Sequence, residues 1–264
     1  MKLAVALFMM TTFVHARAFS SRAMVAQRHV RIPAPNPLYV IGDVHGCLSE
    51  LKQLLKNLDV STDNIVLVGD LVNKGPSSAE VVQFCRLNKI KSVAGNHDMS
   101  ALKHLKMFDT LAGSKKEKYK WTQQLSLEDV DYLESLPLSI TLDGLSCSIV
   151  HAGVVPNSAS IESNSEFDMT TIRLVTRDGL SAVSKQSAEK EKEKAVNWTE
   201  VYDGRFGKII YGHDAKRGLQ NKEKTVGLDT GCCYGGRLTA FEVWSGEICG
   251  VYAEKVWCEK SKKS

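Results

Sequence analysis

The sequence predicts an α/β fold of short buried strands alternating with helices, and three observations carry that prediction. Five short apolar-rich runs, at residues 38–41, 64–68, 90–94, 147–150 and 209–211, each stop directly at a motif of Gly, Asp, Asn or His. Helical patterns lie between them, as a layered α/β arrangement requires. With 264 residues and 43% hydrophobic content, the chain can bury the core of one such domain, and it carries no repeat of solenoid period.

Taken in order, residues 38–41 form a strand ending in Gly42-Asp43-Val44-His45-Gly46. Leu48, Leu51, Leu54, Leu55 and Leu58 then recur at helical spacing. The run 64–68 leads into Gly69-Asp70, a helix follows over 79–87, and 90–94 leads into Gly95-Asn96-His97-Asp98. Ser126, with Asp129 three residues on, makes a capping-box-like start for a helix over 127–136. The run 147–150 ends in His151-Ala152-Gly153, and 209–211 ends in Gly212-His213. Five times a strand signal stops and a metal-ligand type appears at its C-terminal edge, where α/β sheets collect ligands. The glycines allow sharp turns and leave room beside those residues.

Asp43, His45, Asp70, Asn96, His151 and His213 together offer carboxylate, amide and imidazole donors, a mixture that suits Mn, Fe or Zn. Two such ions a few Å apart orient a phosphate and lower the pKa of a water between them. Any one of these residues alone reads as turn or core chemistry; the ordered set reads as a metal centre. Asp98 is placed behind the site or as the cap of the next helix, and His104 suits a surface position equally well. Asp229 and Arg237 carry no ligand role that follows from their pattern and read as structural. Tyr234 is a pocket-lining candidate.

These motifs resemble the calcineurin-like metallophosphoesterases, in the phosphoprotein-phosphatase branch and nearest its ApaH-like, diadenosine tetraphosphatase-related members. Gly69-Asp70-Leu71-Val72-Asn73-Lys74-Gly75-Pro76 looks like that subgroup's second motif. Tyr211-Gly212-His213-Asp214 and the segment from Leu228-Asp229-Thr230-Gly231 to Leu238-Thr239-Ala240 look like its C-terminal signature. The resemblance implies a four-layer α/β/β/α metallophosphoesterase sandwich. It also implies one metal on Asp43 and His45, a second on Asn96, His151 and His213, and Asp70 bridging both. Manganese is the ion it implies for activity. His97 matches the family's general acid. Asn73 and Lys74 stand where the protein phosphatases place an Asp and an Arg. The amide still accepts a hydrogen bond from an imidazole but does not stabilise its cation, and Lys is a point charge where Arg would be a fork. The resemblance therefore implies phosphoanhydride substrates: dinucleoside polyphosphates, polyphosphate or an RNA cap. A phosphoprotein serine/threonine phosphatase is the alternative.

Residues 1–36 differ from the rest. An apolar run after Lys2, a small-residue site at Ala16-Arg17-Ala18, and Arg17, Arg22, Arg28 and Arg31 with no acid before Asp43 read as a targeting leader. A mitochondrion or plastid is the expected destination, with cytoplasmic or secretory placement as alternatives. The expected domain spans 37–254, with a basic tail over 255–264. Five of the 34 basic residues precede Pro37, which leaves 29 against 30 acids, so the body shows no general nucleic-acid affinity. No stretch is long enough to span a bilayer as a helix. Seven cysteines without paired Cys-x-x-Cys spacing suit a reducing compartment. Asn197-Trp198-Thr199 is a glycosylation sequon that matters only in the secretory pathway. A monomer is expected.

Overall fold

The computed structural model describes residues 28–184, 187 and 195–259. The segment up to residue 27 that was read as a leader, the whole charge run at 189–194 and the terminal 260–264 lie outside the described residues. Fourteen strands are described: β1 His29–Pro33, β2 Tyr39–Ile41, β3 Ile65–Leu67, β4 Lys91–Ser92, β5 Ser139–Asp143, β6 Cys147–Val150, β7 Leu174–Thr176, β8 Ala182–Val183, β9 Ala195–Asn197, β10 Lys208–Tyr211, β11 Gln220–Asn221, β12 Thr225–Gly227, β13 Arg237–Glu242 and β14 Ile248–Tyr252. The helices are α1 Leu48–Leu58, α2 Ser78–Leu87, α3 Asn96–Lys106, α4 Gly113–Tyr119, α5 Leu127–Glu134, α6 Glu166–Thr171 and α7 Trp198–Val201.

Two sheets stack face to face. One runs β14-β13-β2-β3-β4 and the other β1-β5-β6-β10-β12-β11; β8-β7-β9 form a small third sheet. Alternation along the strands decides which core each side chain joins. In β3, Ile65 and Leu67 face the helical layer, while Val66 faces the space between the two sheets with Val40, Ile149, Ile210 and Val226. In β10, Ile210 faces that middle core while Ile209 and Tyr211 face outward onto Trp198, Met169 and Val175. The leucines of α1 at 51 and 54 are buried against the first sheet, and those at 48, 55 and 58 pack partly buried beside them. Each fully buried leucine of this kind contributes about 1.5–3 kcal/mol. The α/β sandwich expected from the sequence is therefore present. Its fourth layer is thin, built from the third sheet with the six-residue α6 and the four-residue α7.

Both edges of the fold extend past the 37–254 span read from sequence. β1 pairs in parallel with β5, from His29 opposite Ser139 to Pro33 opposite Asp143. Val30 and Ile32 pack against the middle core, and Arg28 and Arg31 form ion pairs with Glu166 and Asp143. Of the arginines counted toward a leader, Arg31 thus belongs to an edge strand and Arg28 immediately precedes it. Its signal is faint because only two apolar residues alternate before Pro33 ends it. At the other end, Trp257 Nε1 donates to Glu50 Oε1 at 2.7 Å, and the Trp257 and Cys258 amides donate to the Cys233 carbonyl at 3.0 and 2.9 Å. Residues 255–258 are packed chain rather than a tail. No helix among the described residues is long and apolar enough to cross a membrane.

Candidate metal centre

The C-terminal ends of β2, β3, β6 and β10, with the turn into α3, converge on one point. This is where the parallel pairs β2–β3, β3–β4, β6–β10 and β10–β12 all terminate. The Asp70 carboxylate lies at the centre: Oδ2 is 3.4 Å from His45 Nε2, and Oδ1 is 3.4 Å from His151 Nε2. His45 Nε2 is also 3.8 Å from Asp43 Oδ2. Asn96 Oδ1 sits 3.1 Å from His151 Nε2 and 3.0 Å from His213 Nδ1. The structure thus brings together all six residues singled out as ligand types, and the ligand atoms of His45, Asp70 and His97, like those of Asp70, His151 and His213, lie within 4.8 Å of one another.

Backbone geometry shows how much the chain bends to achieve this. Seven non-glycine residues among those described have left-handed φ, and five are His45, Asp70, Asn73, Lys74 and His213. Such strain concentrates where a site over-determines the backbone. A Cβ on Gly95 would collide with the Asp70 carboxylate, and one on Gly212 with the Asp43 carboxylate. These glycines open the cradle.

The donor set fits divalent metal ions, and the reason is electrostatic. His45 Nδ1 lies 3.0 Å from the Val72 carbonyl and His151 Nδ1 lies 2.8 Å from the Val68 carbonyl. A carbonyl only accepts, so each ring carries its proton on Nδ1 and turns the Nε2 lone pair inward. Burial, above all, pushes the His45 imidazole down to about 3, so it stays neutral there. Burial, with Asp229 and Asp70 nearby, raises the Asp43 carboxyl well above the usual range. Lone pairs of imidazole, amide and carboxylate therefore face one another around the buried Asp43, His45, Asp70 and His151. Cations resolve such a cluster, and His213 Nε2 adds a buried nitrogen with no hydrogen-bond partner.

Around this cluster stand the groups assigned to substrate. Lys74 Nζ lies 2.7 Å from His45 Nε2 and 5.2 Å from the centre of the Tyr234 ring. Burial opposes its charge, yet Asp70 and Tyr234 outweigh that and raise its pKa. Tyr234 therefore lines the site. The His97 ring meets His45 edge-on at 4.8 Å, and its amide donates to Asp70 Oδ1 at 2.8 Å. Burial is the main cause that pushes its imidazole down to about 4.

The remaining residues singled out in the sequence divide. Asp98 fills both positions considered for it: Oδ2 accepts from Gly95 N as a helix cap, and Oδ1 accepts from Leu71 N behind the site, each at 2.9 Å. His104 is buried rather than at the surface, stacked on Tyr119 at 4.0 Å with Nδ1 bonded to the Ser100 carbonyl. Arg237 stacks on Tyr252 away from the cluster. Asn197 is buried and caps α7 by accepting from Thr199, so the sequon is closed in the folded chain. All seven cysteines are free thiols.

Two residues near the site have no signal in the sequence. Arg173 donates to the His213 carbonyl at 3.0 Å from a stretch with no readable motif. Trp121 Nε1 donates to Asn73 Oδ1 at 3.2 Å. That contact reverses the expected use of Asn73. Its carbonyl is taken by the indole, and its NH2 group faces His97, 3.3 Å from Nδ1 and 3.2 Å from the carbonyl.

With this geometry in place, similarity to known proteins becomes informative. A family model for calcineurin-like phosphoesterases matches residues 37–236. The chain belongs to that family. Symmetrical bis(5'-nucleosyl)-tetraphosphatases from Erwinia tasmaniensis and Proteus mirabilis are each 30% identical to this phosphoesterase, over 76% of its length and 92% of theirs. The counterpart from Neisseria gonorrhoeae is 28% identical over 81% of this chain and 95% of its own. A solved crystal structure provisionally described as a diadenosine tetraphosphatase superposes with a TM-score of 0.73 and 31% identity, covering 86% of this phosphoesterase and 98% of that chain. The protein is a metal-dependent phosphohydrolase.

Proposed function

We propose that this phosphoesterase hydrolyses the phosphoanhydride bonds of dinucleoside polyphosphates at the cluster centred on Asp70. The observation that carries the reading is the similarity to named symmetrical tetraphosphatases along more than nine-tenths of their length, well beyond the metal motifs. Asp43 and His45 would hold one divalent ion, Asn96, His151 and His213 the other, and Asp70 both. Manganese is the proposed ion, with iron and zinc compatible with the same donors. When bound, the ions polarise the phosphate and supply an activated water for in-line attack at phosphorus. Lys74 binds phosphate oxygens through its charged Nζ, and Tyr234 walls the same side. His97 serves the oxygen that leaves. Asp98 and the His45 and His151 backbone contacts keep these groups in place.

The residues at 73 and 74 favour anhydride over phosphoserine substrates, because neither a carboxylate partner for His97 nor a bidentate clamp is present. The purified, manganese-loaded protein should be assayed against diadenosine tetraphosphate, inorganic polyphosphate, capped RNA and a phosphoserine peptide. Faster turnover of diadenosine tetraphosphate than of the peptide is expected. A preference for the peptide would overturn the reading in favour of a protein phosphatase.

A further inference from the structure

We propose that Lys118 in α4 grips the phosphates of the departing nucleotide and so selects substrates with phosphate on both sides of the scissile bond. This rests on the reading that His97 serves the leaving oxygen. Segment 118–121 is pinned beside His97 at two points. Tyr119 Oη and Ser100 Oγ are 2.8 Å apart, and Ser100 lies about one turn after His97 in α3. Trp121 Nε1 donates to Asn73 Oδ1 at 3.2 Å, and the Asn73 NH2 group is 3.2 Å from the His97 carbonyl. Lys118 directly precedes these anchors. It is exposed, with Nζ 5.2 Å from the centre of the Tyr119 ring, on which His104 also stacks. Among the described residues it forms no ion pair. Its field still reaches the site: burial is the main cause that lowers the His97 imidazole, and Lys74 and Lys118 add to it. Neighbouring cations face elsewhere. Lys116 Nζ lies over Phe108 at 5.3 Å, and Lys120 pairs with Glu117 at 3.9 Å. Arg173 is held on the His213 side by that residue's carbonyl and by Asp214 at 3.5 Å. Lys118 is thus left as an unpaired cation beside His97.

Charge on the departing half of the substrate is what such a cation serves. Hydrolysis places the OH of water on the attacked phosphorus. The bridging oxygen leaves with the P–O electron pair and takes the second proton of the water. In a dinucleoside polyphosphate that oxygen belongs to a second phosphate chain, already anionic and gaining charge as the bond breaks. Lys74, between His45 and Tyr234, serves the attacked phosphate, so the departing chain calls for a separate cation on the His97 side. An ammonium on a flexible stem suits that work, because it follows a mobile phosphate chain as a point charge. Phosphoserine and 4-nitrophenyl phosphate carry no phosphate beyond the departing oxygen, and give Lys118 nothing to grip.

The test compares wild type, Lys118→Ala, Lys118→Arg and Lys116→Ala, each loaded with manganese, on diadenosine tetraphosphate and 4-nitrophenyl phosphate. Lys118→Ala should lose about tenfold in kcat/KM on diadenosine tetraphosphate, as expected for one hydrogen bond to a charged group. On 4-nitrophenyl phosphate it should stay within about twofold of wild type. Lys118→Arg should recover most of the loss, and Lys116→Ala should match wild type on both substrates. A second readout needs no turnover. Amine acylation followed by mass spectrometry should show Lys118 protected by a methylene-bridged diadenosine tetraphosphate analogue, with the exposed Lys56 of α1 as the unprotected reference. No loss on diadenosine tetraphosphate, equal losses on the two substrates, an equal loss in Lys116→Ala, or an unprotected Lys118 would overturn the proposal. Should the wild type prefer a phosphoserine peptide to diadenosine tetraphosphate, the reading of the site fails instead. Protection of Lys118 by the analogue then decides the subsite by itself.

Discussion

Buried carboxylates in two regions of this molecule are handled in opposite ways. Against the helical layer, Glu50 accepts from Trp257 Nε1, the Glu254 amide and Ser49, at 2.7, 3.1 and 2.7 Å. Asp129 accepts from Arg86 at 2.7 Å and from the Ser126 amide at 2.9 Å. Burial works against ionisation of both, yet these donors outweigh it and hold each carboxyl below its usual range. At the strand edge the balance is reversed for Asp43, while the surrounding imidazoles hold the Asp70 carboxyl below its usual range against the cost of burial. Both Asp43 oxygens share the His213 amide as donor, at 3.0 and 3.2 Å, while Asp229 and Asp70 press on the carboxyl and His45 Nε2 faces Oδ2 at 3.8 Å. The site is marked here by acceptor atoms that outnumber their donors, with Lys74 Nζ against His45 Nε2 and the His97 amide against Asp70 Oδ1 as the few that reach it. Cavity size is a poorer guide. An open cleft of about 670 Å³ is lined by Arg31, Glu162, Asp203 and Arg205 and contains none of the ligand-type residues. Its arginines are already paired, with Asp143 and Asp203, each at 3.0 Å.

The comparison breaks most sharply at Asp70. Asp70→Asn should cost on the order of 10³-fold in kcat/KM and lower metal content below two ions per chain, since one carboxylate serves both groups. His97→Ala should lose activity and keep its metal. Elemental analysis separates the two, and full metal content in Asp70→Asn would end the bridging assignment.

A second test acts on the donor-saturated region. Asp129→Asn should destabilise the fold by about 1–3 kcal/mol while metal and kcat/KM stay unchanged. Its carboxyl is depressed in the folded state, so the stabilisation is present above the unfolded pKa of about 3.9 and is lost as pH falls through the folded value. Denaturant melts of wild type and variant should therefore converge in acid and diverge at neutral pH. Convergence at neutral pH instead would mean that Arg86 and Ser126 do not stabilise the charge.

The fold's edge offers a smaller effect. Starting the chain at Pro37 removes β1 and should lower Tm by about 5 °C with turnover retained. Starting it at Arg28 should leave Tm unchanged. Equal melting of the two would return β1 to the leader. The smallest effect is predicted for Arg205→Ala in the open cleft, where kcat/KM should stay within about twofold of wild type. A larger loss would make the cleft part of the reaction.

The inward-facing ligand set was legible because each residue follows a short, continuous apolar run, as in residues 64–68 before Asp70. The chemistry of Asp and His then did the rest. β1 was not legible, since Val30 and Ile32 are its only alternating apolar residues and neighbouring arginines imitate a targeting segment. Residues 255–258 were hidden by the lysines that follow them. His104 shows the limit of residue type alone, because its burial depends on Tyr119 stacking from a different helix. Trp121 was invisible for the same reason: the indole N–H meets Asn73 across 48 residues of chain, and no spacing encodes that meeting. Asn73 itself was legible as a departure, but the direction of its amide was set by that distant partner.

The ligand-type residues gathered around Asp70 at the strand edge should hold two metal ions. A crystal soaked in manganese and measured at the manganese absorption edge tests it most directly. The account predicts two anomalous peaks separated by the Asp70 carboxylate, one beside Asp43 and His45 and the other beside Asn96, His151 and His213. The Cys47, Glu50 and Cys232 cluster is the competing group of ligand types, and the account predicts no peak there. A single peak at that cluster, or none at the strand edge, would contradict it.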